Sequence, residues 1–160
     1  MRLAVHVVGR MKSGPEKELA DRFFDRFSKA GPAVGLDFAG VSETPESRAR
    51  SSAERKREEA EKLRGQFGPG TALVLLDERG KNISSEALAE RIGTWRDNGL
   101  KTLLVAIGGA DGHDGALRDS ADLVISFGAA TWPHQLVRVM LAEQLYRAAT
   151  ILAGHPYHRS

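Results

Sequence analysis

Residues 154–160 of this 160-residue chain hold the side chains most suited to chemistry: Gly154-His155-Pro156-Tyr157-His158-Arg159-Ser160. An aromatic ring, two imidazoles and a guanidinium in close succession are the groups that stack on nucleobases and hold phosphates. An imidazole there can also assist a proton transfer. His155 and His158 are three apart, but Pro156 resists the helix that would align them and no carboxylate lies nearby, which argues against a metal. The bland alternative for the run is a frayed end. Residues 134–160 carry Arg138, Arg147, Arg159, His134, His155 and His158 against the single acid Glu143. A chain of net charge +2 therefore concentrates cations in one segment, which suits an anionic partner.

The elements that must position these groups follow from apolar periodicity. Leu3 to Val8 is apolar on both alternating faces except at His6, as in a strand covered on two sides, and His6 reads as a packed sheet histidine rather than a ligand. Pro15 opens a helix with Leu19, Phe23, Phe24 and Phe27 at helical spacing. Val34, Leu36 and Phe38 alternate with Gly35 and Asp37, predicting a half-exposed strand near a sheet edge. Residues 43–64 hold six acids and seven bases, with opposite signs three or four apart, a solvated helix laced with ion pairs. Gly68-Pro69-Gly70 turns into Thr71 to Leu76, a continuous apolar run typical of an inner parallel strand. A loop at Asp77 to Lys81 precedes a helix capped by Ser84 or Ser85 and running to Asp97. A strand from Thr102 to Ile107, a short helix near Ala116 to Ser120, a strand from Leu123 to Phe127 and a last helix from His134 to about Ala153 complete the order. On that helix Val137, Leu141, Leu145, Ala148 and Leu152 form an apolar stripe.

Strands alternating with helices predict an α/β fold, a parallel sheet with helices on both faces, in a single domain over residues 1–160. The 41% hydrophobic content supplies one core. The absence of cysteine excludes disulfides, thiolate metal sites and a cysteine nucleophile. The apolar run at Met1 to Val8 is too short for a signal peptide, and no window spans a membrane; the expectation is a soluble, cytoplasmic protein. Sixteen arginines against seven lysines favour planar, forked donors suited to phosphate.

In such sheets ligands bind beyond the carboxyl ends of the strands. Three loops qualify: Leu76 to Lys81, Gly108-Gly109-Ala110-Asp111-Gly112, and Phe127 to Pro133. Two are rich in glycine and alanine, so backbone can approach a planar heterocycle closely. Neither a G-x-G-x-x-G after the first strand nor a Gly-Lys-Ser/Thr phosphate loop is present, which argues against a nicotinamide cofactor or a nucleoside triphosphate.

Several pieces resemble, in order, the ribosomal RNA large subunit methyltransferase H family: Val7-Val8-Gly9-Arg-Met-Lys12, Leu76-Asp-Glu-Arg-Gly-Lys81, Ile107-Gly-Gly-Ala-Asp-Gly112, Ser126-Phe127, Thr131-Trp-Pro-His134, Val137-Arg138, Glu143-Gln-Leu-Tyr-Arg147 and His155-Pro-Tyr-His-Arg159. The resemblance implies a SPOUT-class fold with a C-terminal trefoil knot, working as a homodimer. It implies transfer of methyl from S-adenosylmethionine to N3 of a pseudouridine in large-subunit (23S) ribosomal RNA, within the 70S ribosome or the large subunit. It implies cofactor contacts at Leu76, Gly108, Gly109, Phe127, Gly128, Ala129, Ala130, Thr131 and Trp132, and RNA contacts at Arg138, His155, Tyr157, His158 and Arg159. His158 is the candidate to assist deprotonation, with Arg159 or Arg138 to hold phosphate or developing charge.

Arg138 and Arg147 are nine apart, half a turn out of phase at about 3.6 residues per turn. They cannot face one RNA from one subunit, whereas a composite site across a dimer would use both. Arg147 also follows Glu143 by four and is equally readable as a structural pair. Two other classes stay open: a non-catalytic RNA-binding or ribosome-associated protein, and a small-molecule enzyme of flavodoxin-like build.

Overall fold

In the computed structural model, which describes residues 1–159, five parallel strands alternate with five α-helices. Ser160, the last residue of the closing run, lies outside the described residues. The strands are β1 (Arg2–Val8), β2 (Asp37–Thr44), β3 (Thr71–Lys81), β4 (Thr102–Ile107) and β5 (Leu123–Ile125), in the spatial order β2-β1-β4-β3-β5. The helices are α1 (Pro15–Ala30), α2 (Ser52–Arg64), α3 (Ser85–Asp97), α4 (Gly115–Ser120) and α5 (His134–Leu152). Among the described residues no helix is long and apolar enough to cross a membrane.

Strand alternation divides the core into two layers. Leu3, Val5 and Val7, with Ala72, Val74, Leu76, Leu103, Val105 and Ile107, pack against Phe24, Phe27, Leu88, Ile92, Leu141 and Leu145 of α1, α3 and α5. The opposite registers, Leu73, Leu75, Leu104 and Ala106, pack against Ala60, Leu63 and Leu117 of α2 and α4. Both faces of the sheet are covered by helices, as expected. From the predicted stripe on α5, Leu141, Leu145 and Ala148 are buried, while Val137 and Leu152 are partly so. His6 is fully buried within the sheet.

Boundaries differ where non-local contacts decide them. The second strand starts at Asp37 rather than Val34, because Gly31–Val34 wind a 3₁₀ turn closed by Gly35 in the left-handed conformation at φ 72°. It does lie at the sheet edge. The charged stretch forms a helix only from Ser52, where the Ser51 hydroxyl accepts from the Glu54 amide at 3.2 Å; Glu43 belongs to β2. Among the described residues α2 forms no ion pair within itself, and Arg55 and Arg64 reach out to Asp111 and Asp114 instead. The loop expected at Asp77 to Lys81 continues β3 after a break in register, pairing Lys81 with Ile125. β5 stops at Ile125 rather than Phe127.

Candidate functional site

Parallel pairing brings the carboxyl ends of all five strands to one edge. The ends of β4, β3 and β5, with the first turn of α5, enclose a cavity of about 410 Å³, within the range of small-ligand pockets. Leu76, Gly108, Gly109, Phe127, Gly128, Ala130, Thr131 and Trp132 all line it. Ala129, on the same loop, does not.

Local hydrogen bonds hold these walls. The Trp132 indole donates to the Phe127 carbonyl at 3.2 Å, and the Ser126 hydroxyl donates to the Gly128 carbonyl at 2.9 Å, closing the 126–132 loop on itself. Gly108 and Gly109 are pressed from behind. A Cβ on Gly108 would meet the Gly112 backbone and the His113 ring at 3.2 Å, and one on Gly109 would meet the Glu59 carboxylate at 3.0 Å. The glycines therefore let main chain form the wall between the cavity and a buried polar layer.

That layer holds His113, Glu59 and His6. Burial lowers the His113 imidazole below its ordinary range, and among the described residues its Nε2 has no hydrogen-bond partner. Burial raises the Glu59 carboxyl, although its Oε1 accepts the Ser47 amide at 2.9 Å. On the cavity side, Asp77 accepts the Arg79 amide at 2.9 Å and stands 3.6 Å from the Arg118 guanidinium. Asp111 is gripped by Arg55 at 2.6 and 3.0 Å, which holds its carboxyl below the usual range.

Asp77, Glu78, Arg79, Arg118, Ser126 and His134 line the cavity without having been singled out as contacts in the sequence. The Asp-Glu-Arg triplet at a strand's carboxyl end was the available signal for three of them. Leu76, Ile107, Phe127 and Val137 supply apolar walls, and glycine backbone supplies polar edges. This combination accepts a planar heterocycle, and Glu78, in no ion pair among the described residues, suits a ligand bearing positive charge.

Arg138 departs from expectation. It is buried, donating to Glu43 at 2.9 Å and to the Gly9 carbonyl at 3.4 Å, so it presents no free cation to RNA. Burial pushes Glu43 up, but the Met11 amide and Arg138 more than offset this, leaving its carboxyl below the ordinary range.

The closing run folds back on its own chain. Tyr157 donates to Glu143 at 3.1 Å beneath the Arg147 guanidinium, 4.8 Å from the ring centroid. Arg147 donates to His158 Nδ1 at 3.2 Å, and His158 Nε2, which therefore carries the proton, donates to Glu86 at 2.7 Å. None of residues 155–159 lines the cavity within one chain, so His158 and Arg159 are not brought to the loops that wall it. His155 and Arg159 remain exposed. Glu143 lines a second cavity of about 490 Å³ on the far side of Ser126 to Gly128. Among the described residues no cluster of three potential metal ligands occurs.

Residues 1–158 match the family model described as "Predicted SPOUT methyltransferase". Three curated relatives carry the name ribosomal RNA large subunit methyltransferase H. That of Mesorhizobium japonicum is 68% identical over the whole of both chains. That of Chelativorans sp. is 67% identical over 99% of this chain and 91% of its own. That of Brucella anthropi is 64% identical over the whole of both.

Proposed function

The chain belongs to the SPOUT methyltransferase family, and within that family we propose that it methylates N3 of a pseudouridine in large-subunit (23S) ribosomal RNA, on the assembled ribosome, using S-adenosylmethionine. The observation that carries this reading is the cavity of about 410 Å³ built from the three loops at the carboxyl edge. The names of the relatives support ribosomal RNA as substrate. The residues fit the cofactor: apolar walls at Leu76 and Phe127 for a heterocycle, backbone at Gly108 and Gly109 for its polar edge, and Asp77 and Glu78 near a cationic centre.

Bound there, S-adenosylmethionine supplies a methyl group already activated by its sulfonium. The chain must then align the imide nitrogen with that methyl and take up the nitrogen's proton. His158 has the wiring for the second task. With Nε2–H held by Glu86, its Nδ1 is the free lone pair once Arg147 lets go, and the Glu86 carboxylate stabilises the resulting imidazolium. In this reading Arg159, exposed next to it in the chain, holds phosphate.

Because the tail does not line its own chain's cavity, the reading requires a homodimer in which one copy's tail serves the other's cavity. Large apolar side chains exposed beside the cavity, Trp132 and Leu136, support such a contact. The SPOUT knot is supported by family membership and is consistent with the return of residues 77–81 to the end of β5, where Lys81 pairs with Ile125 and the Ser126 amide donates to the Lys81 carbonyl at 3.0 Å.

Labelled S-adenosylmethionine and ribosomes test the proposal. The full chain is expected to label 23S ribosomal RNA, and a chain lacking residues 156–160 to bind the cofactor but not to methylate. A full chain that binds ribosomes and not the cofactor is instead a non-catalytic ribosome-associated protein. A truncated chain as active as the full one removes the role given to the tail.

A further inference from the structure

Four exposed cations stand on two loops that neither the cavity nor the tail uses: Arg10 and Lys12 after β1, and Arg48 and Arg50 after β2. Among the described residues none of the four forms an ion pair. Glu46 is the one exposed acid on these loops outside β2. Like charges left side by side repel one another, so an arrangement that also fixes them in place calls for an anion.

Both loops are fixed, and both to the cavity wall. In the first, buried Met11 donates its amide to Glu43 at 2.8 Å, and Glu43 is held by Arg138 at 2.9 Å. Arg138 follows Val137, which lines the cavity. The Gly9 amide donates to Thr44 at 2.7 Å, with Gly9 at φ 97°, so the chain turns sharply off the sheet with Arg10 and Lys12 on either side of the anchored Met11. In the second, Arg55 donates to the Ala49 and Arg50 carbonyls at 3.0 and 3.2 Å while gripping Asp111, which also lines the cavity. Ser47 is tied to Glu58 and Glu59 of α2. Each guanidinium that does the clamping is itself neutralised, while among the described residues the cations it positions form no ion pair.

The strand order sets the spacing. The cavity occupies the β4, β3 and β5 end of the carboxyl edge, and the cations occupy the adjoining β1 and β2 end. β1 neighbours β4 directly, so the first of the two loops leaves the sheet beside a strand whose end walls the cavity.

We propose that Arg10, Lys12, Arg48 and Arg50 form a rigid strip that binds the sugar-phosphate backbone of the RNA substrate, leading its target nucleotide into the neighbouring cavity. This rests on the RNA reading above. Three of the four are arginines, whose forked donors match phosphate oxygens. The strip carries no base-reading geometry: it orients the strand and leaves nucleotide choice to the cavity and the tail.

The test uses the full chain and two double variants, Arg10→Gln with Lys12→Gln and Arg48→Gln with Arg50→Gln. Ribosome binding is followed by co-sedimentation across a salt series, and methylation by the KM for ribosomes. Each double variant is expected to keep cofactor affinity within about twofold, to raise the KM roughly tenfold, and to flatten the log–log salt slope by about 1–2. Lys12 replaced by a photoreactive benzophenone amino acid is expected to crosslink to large-subunit ribosomal RNA. Unchanged slope and KM overturn the strip while leaving the methyltransferase reading intact, since the full chain is still active. A crosslink confined to a ribosomal protein overturns RNA as the partner. A full chain that neither binds nor methylates ribosomes overturns both.

Discussion

The buried layer beneath the glycine loop makes two histidines depend on staying neutral. Gln66 donates to His6 Nδ1 at 2.7 Å, so the ring's proton is on Nε2, which faces the Thr44 hydroxyl at 3.2 Å. Burial lowers both His6 and His113 from the ordinary 6.5. The unfolded chain therefore binds more protons than the folded one once the pH falls below 6.5. Their stabilisation is complete above that value and is lost on acidification, at up to about 1.4 kcal/mol per pH unit for each histidine. Glu59 works in the opposite sense, because its raised carboxyl protonates earlier in the fold than in the unfolded chain, and it partly offsets the two histidines as the pH falls toward 4.5. Thermal unfolding followed from pH 7.5 to 5.5 is expected to show a falling midpoint, with a shallower fall in His6→Asn. A flat profile for the unsubstituted chain would remove this account. Arg138 teaches a different lesson at the same scale. The resemblance implies an RNA contact there, whereas the structure buries Arg138 against Glu43, 95 positions away, and no local spacing announces such a pair.

Among the elements, β3 joins a stretch that local pattern reveals to one that only a distant contact shapes. Its apolar run, like those of β1 and β4, was legible as an inner strand because burial on both faces leaves no polar alternation. Its continuation was not, because Asp77 to Lys81 is polar and pairs with β5 only through a bridge to Ile125. Gly80 makes that bridge feasible: a Cβ there would overlap the Ile125 backbone. Gly80→Ala is expected to destabilise the fold by at least about 2 kcal/mol, measured by denaturant unfolding, and to weaken cofactor binding, since Leu76 to Arg79 and Ile125 to Gly128 both wall the cavity. An alanine variant of ordinary stability would show that the crossing is looser than the backbone implies. The start of β2 was misread for a related reason. Val34, Leu36 and Phe38 alternate like a strand, yet Pro32 and Gly35 set a 3₁₀ turn that only the structure separates from it. The loops that wall the cavity are legible because chain topology alone sends them to one edge, whereas Arg118 reaches that edge only through the placement of α4.

At the scale of the whole molecule the functional groups divide into two sets that one chain keeps apart. The cavity opens at the carboxyl edge of the sheet, while Tyr157 and His158 are held by Glu143, Arg147 and Glu86 on α5 and α3. A two-fold dimer joins such sets reciprocally, each copy lending its tail to the other. Complementation separates this arrangement from a tail that swings to its own cavity. One partner is the chain lacking residues 156–160, with an intact cavity; the other carries Ala130→Trp, which fills the cavity and keeps the tail. Each homodimer is inactive. Co-expressed in equal amounts, half the dimers are mixed, and each mixed dimer assembles one complete site if the tail acts across the interface, restoring roughly a quarter of the full activity. A tail acting within its own chain restores none, because no single chain in the mixture has both parts. Leu136→Glu, placed on the exposed apolar side of α5, is expected to give a monomer by sedimentation that still binds the cofactor and has lost methylation.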